Sequence, residues 1–368
     1  MADTAGEGVR QLSRVESFTY DALPGRVVFG AGSRKSLAAE AEALGAERIL
    51  VIADRATDTL ASEIGAVLGD LVVGRFDQVA QHVPVPLAEA AAAQARDVGA
   101  DAVLTIGGGS ATGFGKAVVL NVGIKQIAVP TTYAGSEMTP IWGMSDGDRK
   151  QVGVDSRVKP ALVVYDPELT LTLPPRIAGP SGMNALAHSV EALYGPGANP
   201  FISFMALESI RVLYRGLPAV VADPDDLGAR TDVLYGAYLG GVVLATGGTA
   251  LHHKTCHVLG GMFNLDHGGM NAAVLGHAVA YNAPAIGELI DAIAAVIDVP
   301  AGQVPASLFD LAGDIGAPTS LEALGMPAGG LDEATRRVVI EAAANVRPPT
   351  GDGIRQMLDD AFHGRRPA

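Results

Sequence analysis

At Leu173-Pro174-Pro175 the chain changes character, and that change constrains its fold more than any other feature. Before it, from about residue 17 to 172, short β-branched runs fall at 26–30, 49–54, 71–76, 102–107, 127–132 and 161–166. Ala/Leu/Glu-rich stretches such as 33–44 and 86–98 separate several of them. Alternation of that kind builds βαβ units around a parallel sheet. Residues 138–144 and 151–154, joined through Ser145-Asp146-Gly147-Asp148, read as a β-hairpin inserted into this half. After the prolines, strand-like runs almost vanish. Ala/Leu-rich segments at 181–194, 203–215, 227–244, 250–263, 270–281, 286–295 and 332–345 follow, punctuated by Gly, Pro and Asn. The pattern predicts a polar arm over 1–16, an α/β domain over 17–172 and an all-helical domain over 173–368. The expected active site is the cleft between the two halves.

Composition narrows the partners. The net charge of −14 argues against nucleic acid or an anionic membrane surface as the main partner. An anionic small molecule in a locally basic pocket is still compatible with it. A single cysteine, Cys256, excludes an internal disulfide and fits a reducing cytoplasm. In a helix that cysteine packs as a small apolar group. No apolar run reaches membrane-spanning length, and the first residues lack a basic region followed by an apolar one.

The 102–106 run feeds directly into Gly107-Gly108-Gly109-Ser110. A buried strand followed by glycines and a helix start lets backbone amides approach a pyrophosphate, and the helix N-terminus favours its charge. This marks the first half as a Rossmann-like, dinucleotide-binding domain. Asp54 ends the 49–54 run. An acid there can accept from an adenosine ribose and repel a 2′-phosphate, or can simply cap a turn. Gly30-Ala31-Gly32-Ser33 lacks a third glycine and reads as a turn with a helix cap. Thr131 and Thr132, in Pro130-Thr131-Thr132-Tyr133-Ala134-Gly135-Ser136-Glu137, follow another strand and suit ligand contact at a sheet's carboxyl end.

Four of the eight histidines, His252, His253, His257 and His267, fall within sixteen residues. His253 and His257 are four apart and share one helical face. Asn184 and His188 repeat that spacing upstream. Imidazoles gathered on helical faces suit a metal site or a proton-transfer site.

Taken together these pieces resemble the iron-containing alcohol dehydrogenase superfamily, and within it the maleylacetate reductases. The carrying motifs are GGGSATGFGKA, PTTYAGSEMTPIWG, VYDPELTLTLP, SGMNALAHSVEALYGPGANP, GTALHHKTCHVLGG and NVRPPTG, colinear from about residue 17 to 360. The resemblance implies an α/β nucleotide-binding domain plus an all-α domain, as in dehydroquinate synthase-like folds. It also implies a nicotinamide cofactor, NADH or NADPH, and reduction of the carbon–carbon double bond of maleylacetate to 3-oxoadipate in aromatic-compound breakdown. Enzymes of this family are commonly dimers. Carried over residue by residue, Gly107, Gly108, Gly109 and Ser110 match the pyrophosphate loop, and Thr131 and Thr132 the nucleotide contacts. Lys150 matches a cofactor-side lysine, and Asp54 an acid that favours NAD. His188, His253 and His267 match three metal-ligand positions, and His257 the histidine near the nicotinamide.

Two departures bear on mechanism. Metal-dependent relatives carry aspartate where this chain has Asn184, and a neutral amide is a poor ligand for a transition metal. A metal-free reaction is therefore expected, with iron or zinc not required. After the histidines the chain reads LDHGGMNAAVLGHA, with Asp266 in place of a proline and Asn271 where a histidine is common. This leaves open a reductase for a related unsaturated oxo-acid. Hydride addition to the alkene carbon remote from the ketone puts negative charge on the ketone oxygen. His253, His257 or Lys254 can stabilise it, and one histidine can supply the proton. Lys254, and less directly Arg347, are the cations expected to meet the substrate carboxylates. The alternatives are a metal-dependent alcohol dehydrogenase using His188, His253 and His267, a dehydroquinate synthase-like lyase, and a non-catalytic nucleotide binder.

Overall fold

The computed structural model describes Phe18, Tyr20, residues 22–146 and residues 149–368, with Arg149 and Lys150 described by their backbone alone. The arm expected over 1–16 and the hairpin tip at Gly147-Asp148 lie outside the described residues. The first half runs β1 (Arg26–Phe29), α1 (Leu37–Leu44), β2 (Ile49–Ala53), α2 (Asp58–Leu68), β3 (Val72–Phe76), α3 (Val85–Asp97), β4 (Ala102–Gly107), α4 (Gly109–Val122), β5 (Lys125–Pro130), β6 (Ile141–Asp146), β7 (Arg149–Val154) and β8 (Leu162–Tyr165). Helices follow: α5 (Pro175–Ala192), α6 (Pro200–Ala222), α7 (Leu227–Gly247), α8 (Leu251–Phe263), α9 (His267–Asn282), α10 (Gly287–Ile297), α11 (Val304–Asp314), α12 (Leu331–Glu341) and α13 (Gly351–His363).

Six strands form one sheet in the order β1-β8-β5-β4-β2-β3, every pair parallel. β2 and β4 are fully buried, which is why their sequences are continuous apolar runs rather than alternating ones. Apolar faces of α1 and α2 cover one side of the sheet through Leu37, Ala41, Ala61 and Ile64. Phe114, Val118 and the alanines of α3 cover the other. From β2 the chain moves outward to β3, whereas from β4 it moves the opposite way to β5. The direction of winding thus reverses between β2 and β4, the place where open α/β sheets bind ligands at their carboxyl ends. β6 and β7 pair as the expected antiparallel hairpin.

The helical part departs from the sequence reading in three ways. α5 begins six residues early, at Pro175, where proline's missing N–H costs nothing, and runs on through Pro180. α11 and α13 carry no mark in the reading above; their short amphipathic segments lack the long Ala/Leu runs that identified the others. The third departure concerns domain membership. The reading put everything after residue 173 in the helical domain, but the chain divides into an α/β unit of 22–174 plus 224–245 and a helical unit of 175–223 plus 246–368. α7 therefore packs with the α/β unit. Arg230, fully buried, donates to Pro224 O at 3.0 Å and Leu173 O at 3.0 Å. Gly241 lies so close to the Gly135 backbone that a Cβ would sit 2.7 Å from its carbonyl oxygen. Tyr235 meets Phe29 edge-on, and Tyr238 tilts against Tyr165. Nothing in a local pattern distinguishes a helix that packs on its own half from one that returns to the other.

Candidate active site

In the α/β unit the chemistry gathers at the carboxyl ends of β2 and β4. The register pairs Ala53 with Ile106, so Asp54 and Gly107 leave the sheet side by side. Gly107 has φ +140°, a conformation open to glycine and strained for other residues. At Gly108, the residue before α4, a Cβ would lie 3.0 Å from both Oγ1 and Cγ2 of Thr132. α4 has no side-chain cap, so its first-turn N–H groups have no partner within the helix. Backbone donors at a helix start of this kind can meet an anion. Thr131 is buried and its N–H donates to Gly107 O at 3.1 Å, which fixes the threonine loop against the glycine turn.

A cavity of about 210 Å³ opens beside this turn, lined by Gly109, Ser110, Lys116, Ser136 and Trp142 and by His82 and Val83. His82 and Val83 have φ of +63° and +50°, strained for non-glycine residues and most of all for a β-branched valine. Ser145 of β6 holds them there. Its N–H donates to Val83 O and its Oγ to His82 O, each at 3.1 Å. Trp142 lies flat across Gly153 on the partner strand, where a Cβ would meet the ring at 2.6 Å.

Asp54 and Lys150 are the other sequence-named residues of this unit. Asp54 caps the following turn, with Oδ1 accepting from Thr57 N and Thr57 Oγ1, each at 2.9 Å. The capping reading thus describes its observed bonds. The side chain of Lys150 lies outside the described residues; its backbone pairs with Ser145 in the hairpin. Lys116, quoted in the glycine motif but given no role, is the residue the sequence reading missed here. It is fully buried, and its Nζ donates to Ser136 O at 2.7 Å, Ser136 Oγ at 3.2 Å, Thr139 Oγ1 at 3.0 Å and Ile141 O at 2.6 Å. Burial pushes its pKa down to about 7, against the opposing pull of the nearby Glu137. A lysine embedded in the apolar run Gly113–Leu120 was the available signal.

The helical unit gathers the histidines. α5 carries His188 and α8 carries His252, His253 and His257, with His267 opening α9. His188 and His253 stack with centroids 4.6 Å apart. His257 stands 6.3 Å from His253 and 6.5 Å from His267. His188 and His253 are buried, while His257 and His267 are exposed. Burial pushes both His188 and His253 well below the ordinary imidazole pKa, so both are neutral. His188 Nδ1 and His253 Nε2 are buried without a hydrogen-bond partner. Lys254, half-buried, follows His253 on the helix and precedes His257 by three, so it borders His257's face. Arg347, the other cation named from the sequence, is half-buried. Its guanidinium donates to Tyr281 O and lies 4.4 Å over the Tyr281 ring.

Glu191, one turn beyond His188 on α5, is the residue the sequence reading passed over in this unit. α8 has no side-chain cap of its own, because Ala250 precedes it. Glu191 reaches across instead. Oε1 accepts from His252 N at 2.7 Å, and Oε2 from His253 N at 3.2 Å and His253 Nδ1 at 2.7 Å. Burial raises its pKa, and His252 together with the N–H groups of Ala250, His253 and His252 pulls it back. Asn345 completes the cap by accepting from Leu251 N at 3.4 Å. Asp266, the departure noted in the sequence, caps α9 by accepting from Gly269 N at 2.7 Å and so fixes where His267 starts its helix. The other departure, Asn271, is fully buried and donates from Nδ2 to His267 O at 2.7 Å.

The donor set fits a divalent ion poorly. Among the described residues, the group of three whose ligand atoms come within 4.8 Å of one another is Glu191, His252 and His253. Glu191 there is already taken by helix-start N–H groups and by His253 Nδ1. At the family's ligand positions the fourth group is the Asn184 amide, and His188 and His253 stack rather than splay about a common point. Three imidazoles and an amide bring no carboxylate to offset a divalent charge.

A glycine cradle at the reversal point of a parallel sheet, with a separate histidine-bearing helical unit, is the build of a nicotinamide-dependent oxidoreductase. The chain belongs to the iron-containing alcohol dehydrogenase family: the model described as "Iron-containing alcohol dehydrogenase" matches residues 24–167, and the family's C-terminal model matches residues 179–362. It is 46% identical to the maleylacetate reductase of Sphingobium indicum, over 95% of this chain and 99% of that one. It is 45% identical to the maleylacetate reductase of Burkholderia cepacia, over 96% and 100%. The crystal structure of maleylacetate reductase from Agrobacterium tumefaciens superposes with a TM-score of 0.92 at 42% identity, covering 96% of this chain and all of that one.

Proposed function

We propose that this protein reduces the carbon–carbon double bond of maleylacetate with NADH or NADPH, giving 3-oxoadipate, without a bound metal ion. The observation that carries the reading is near-full-length similarity to maleylacetate reductases. The amide at Asn184 and the commitment of Glu191 to the start of α8 support the metal-free part.

Gly107, Gly108, Gly109 and Ser110 would hold the cofactor's pyrophosphate through backbone N–H groups, with Thr131 and Thr132 beside them and Lys150 on the cofactor side. Asp54 would disfavour a 2′-phosphate. The bound cofactor supplies a hydride to the alkene carbon remote from the ketone. His257 is exposed beside His253 and His267, and it donates to the ketone oxygen as negative charge develops there. One well-placed donor of this kind lowers a barrier by about 3–4 kcal/mol. The enolate carbon then takes a proton from His257, which regains one from solvent, and Lys254 pairs with a substrate carboxylate. His253, buried and neutral, takes part as a hydrogen-bond acceptor rather than as a cation. The enzyme works as a homodimer in the cytoplasm, a compartment that suits its single cysteine, Cys256.

Incubation with freshly generated maleylacetate and NADH tests the assignment. The expected result is one 3-oxoadipate formed, by mass spectrometry, for each NADH consumed. Oxidation of a simple alcohol on addition of iron or zinc, with maleylacetate untouched, would replace it with the metal-dependent dehydrogenase. Slow turnover of maleylacetate beside rapid turnover of another unsaturated oxo-acid would move the substrate and keep the reaction.

A further inference from the structure

His252 and His253 are neighbours in sequence, fully or almost fully buried, and differently bonded. His252 Nε2 lies 3.0 Å from Asn271 O, which is a carbonyl and can only accept. The His252 proton is therefore on Nε2, and its Nδ1 carries a lone pair. That lone pair lies 3.2 Å from His253 Nδ1. Two facing lone pairs repel, so the proton between them belongs to His253 Nδ1. Glu191 as a carboxylate requires the same thing, because its Oε2 can only accept and lies 2.7 Å from that nitrogen. Its charge is held by helix-start N–H groups, where a carboxylate is favoured. The remaining nitrogen, His253 Nε2, is left as a bare acceptor, buried and without a protein partner beside the His188 ring.

We infer that His252 and His253 are locked in opposite tautomers, and that Glu191 is the positioning residue that keeps Nε2 of His253 as a proton acceptor. The Asn271 carbonyl holds the His252 end of the lock. Glu191 also caps α8, so one carboxylate both starts the helix and sets the state of the imidazole on it. A glutamine at this position has a single carbonyl oxygen for two sets of donors. Either the His252 N–H or the His253 Nδ1–H must then face an amide N–H.

The consequence for turnover rests on the function proposed above, whereas the tautomers themselves do not, and the experiment separates the two. The full-length protein, labelled with nitrogen-15 in its eight histidines, is examined by long-range nitrogen–proton correlation spectroscopy, with His252→Gln and His253→Gln supplying the assignments. In the unsubstituted protein His253 is expected to show a protonated Nδ1 and a bare Nε2, and His252 the reverse. The same tautomer on both rings, or a protonated Nε2 on His253, would overturn the inference even if Glu191→Gln failed to fold. In Glu191→Gln the His253 signature is expected to shift, and kcat with maleylacetate to fall about 10- to 100-fold, the range seen when the partner that orients a ligating imidazole is removed. The Kd for NADH is expected to change less than about two-fold, and Glu191→Asp to recover part of kcat. An unchanged kcat beside a shifted signature would remove the positioning role. Opposite tautomers in a protein inactive on maleylacetate would uphold the lock and refute the proposed substrate.

Discussion

Replacing Lys116 with methionine gives the sharpest test of how the cofactor-side loop is built. Lys116 is fully buried on α4, and its ammonium ties Ser136, Thr139 and Ile141 together beneath the cavity that also holds Ser110 and Trp142. Burial lowers its pKa from the ordinary 10.5 to about 7; Glu137 opposes that shift and Lys159 adds to it. A lysine with a lowered folded-state pKa keeps its proton longer in the unfolded chain. Below pH 7 both states hold the proton, and the penalty for burying the charge is fully present. Between about 7 and 10.5 only the unfolded state holds it, so folding stability gains with rising pH. Each pKa unit corresponds to about 1.4 kcal/mol, so the gain from pH 7 to 9.5 is about 3 kcal/mol. Urea unfolding of the parent protein and Lys116→Met at several pH values isolates the effect, because titrations common to both cancel. Methionine keeps the chain length and loses four hydrogen bonds, so the variant is expected to be less stable at pH 9 and above. The stability difference in favour of lysine is expected to widen by about 3 kcal/mol from pH 7 to 9.5. A difference that stays flat with pH would refute the reasoning, since it would mean that Lys116 titrates as a solvated lysine.

Three further outcomes follow from the site. His257→Ala is expected to lower kcat by about 10²- to 10⁴-fold, the usual worth of a positioned proton donor, with NADH affinity retained; near-normal turnover would remove His257 from the reaction. Gly108→Ala puts a Cβ 3.0 Å from two atoms of Thr132 and into the anion cradle, so the Kd for NADH in a fluorescence titration is expected to rise about ten-fold or more; unchanged affinity would mean that the pyrophosphate lies elsewhere. Asp54→Ser keeps a capping oxygen for Thr57 N and removes the charge beside Gly107. The ratio of NADPH to NADH activity is expected to rise, and an unchanged ratio would leave Asp54 with its capping role alone.

The sequence shows the fold where the physics is local. Continuous apolar runs mark β2 and β4 because both faces of those strands are covered, and the glycine turn is legible because only glycine tolerates the Gly107 backbone. The four-residue spacing of His253 and His257 is likewise written along one helix. What escaped the reading depends on contacts between distant segments. Glu191 lies 61 residues before the His252 N–H it caps, and its role exists only because Ala250 leaves α8 uncapped. A glutamate in the apolar stretch Val190-Glu191-Ala192, one turn from His188, was the one hint. Lys116 is similar: its partners come from 20 to 25 residues downstream on a loop and a hairpin. α7 reads as one more helix of the second half, and the buried Arg230 that fixes it in the α/β unit finds its acceptors in Leu173 and Pro224. Asp54 shows the opposite case, in which the sequence offered two roles and the observed bonds are those of the cap.

One measurement addresses both the substrate and the metal requirement. The protein is treated exhaustively with a chelator and its residual iron and zinc are determined. NADH oxidation is then followed with freshly generated maleylacetate, before and after either metal is added back. Full activity is expected with metal well below one equivalent, with no gain on addition. Activity lost with the metal and restored by it would overturn the metal-free reaction and point to His188, His253 and His267 holding an ion despite the amide at Asn184.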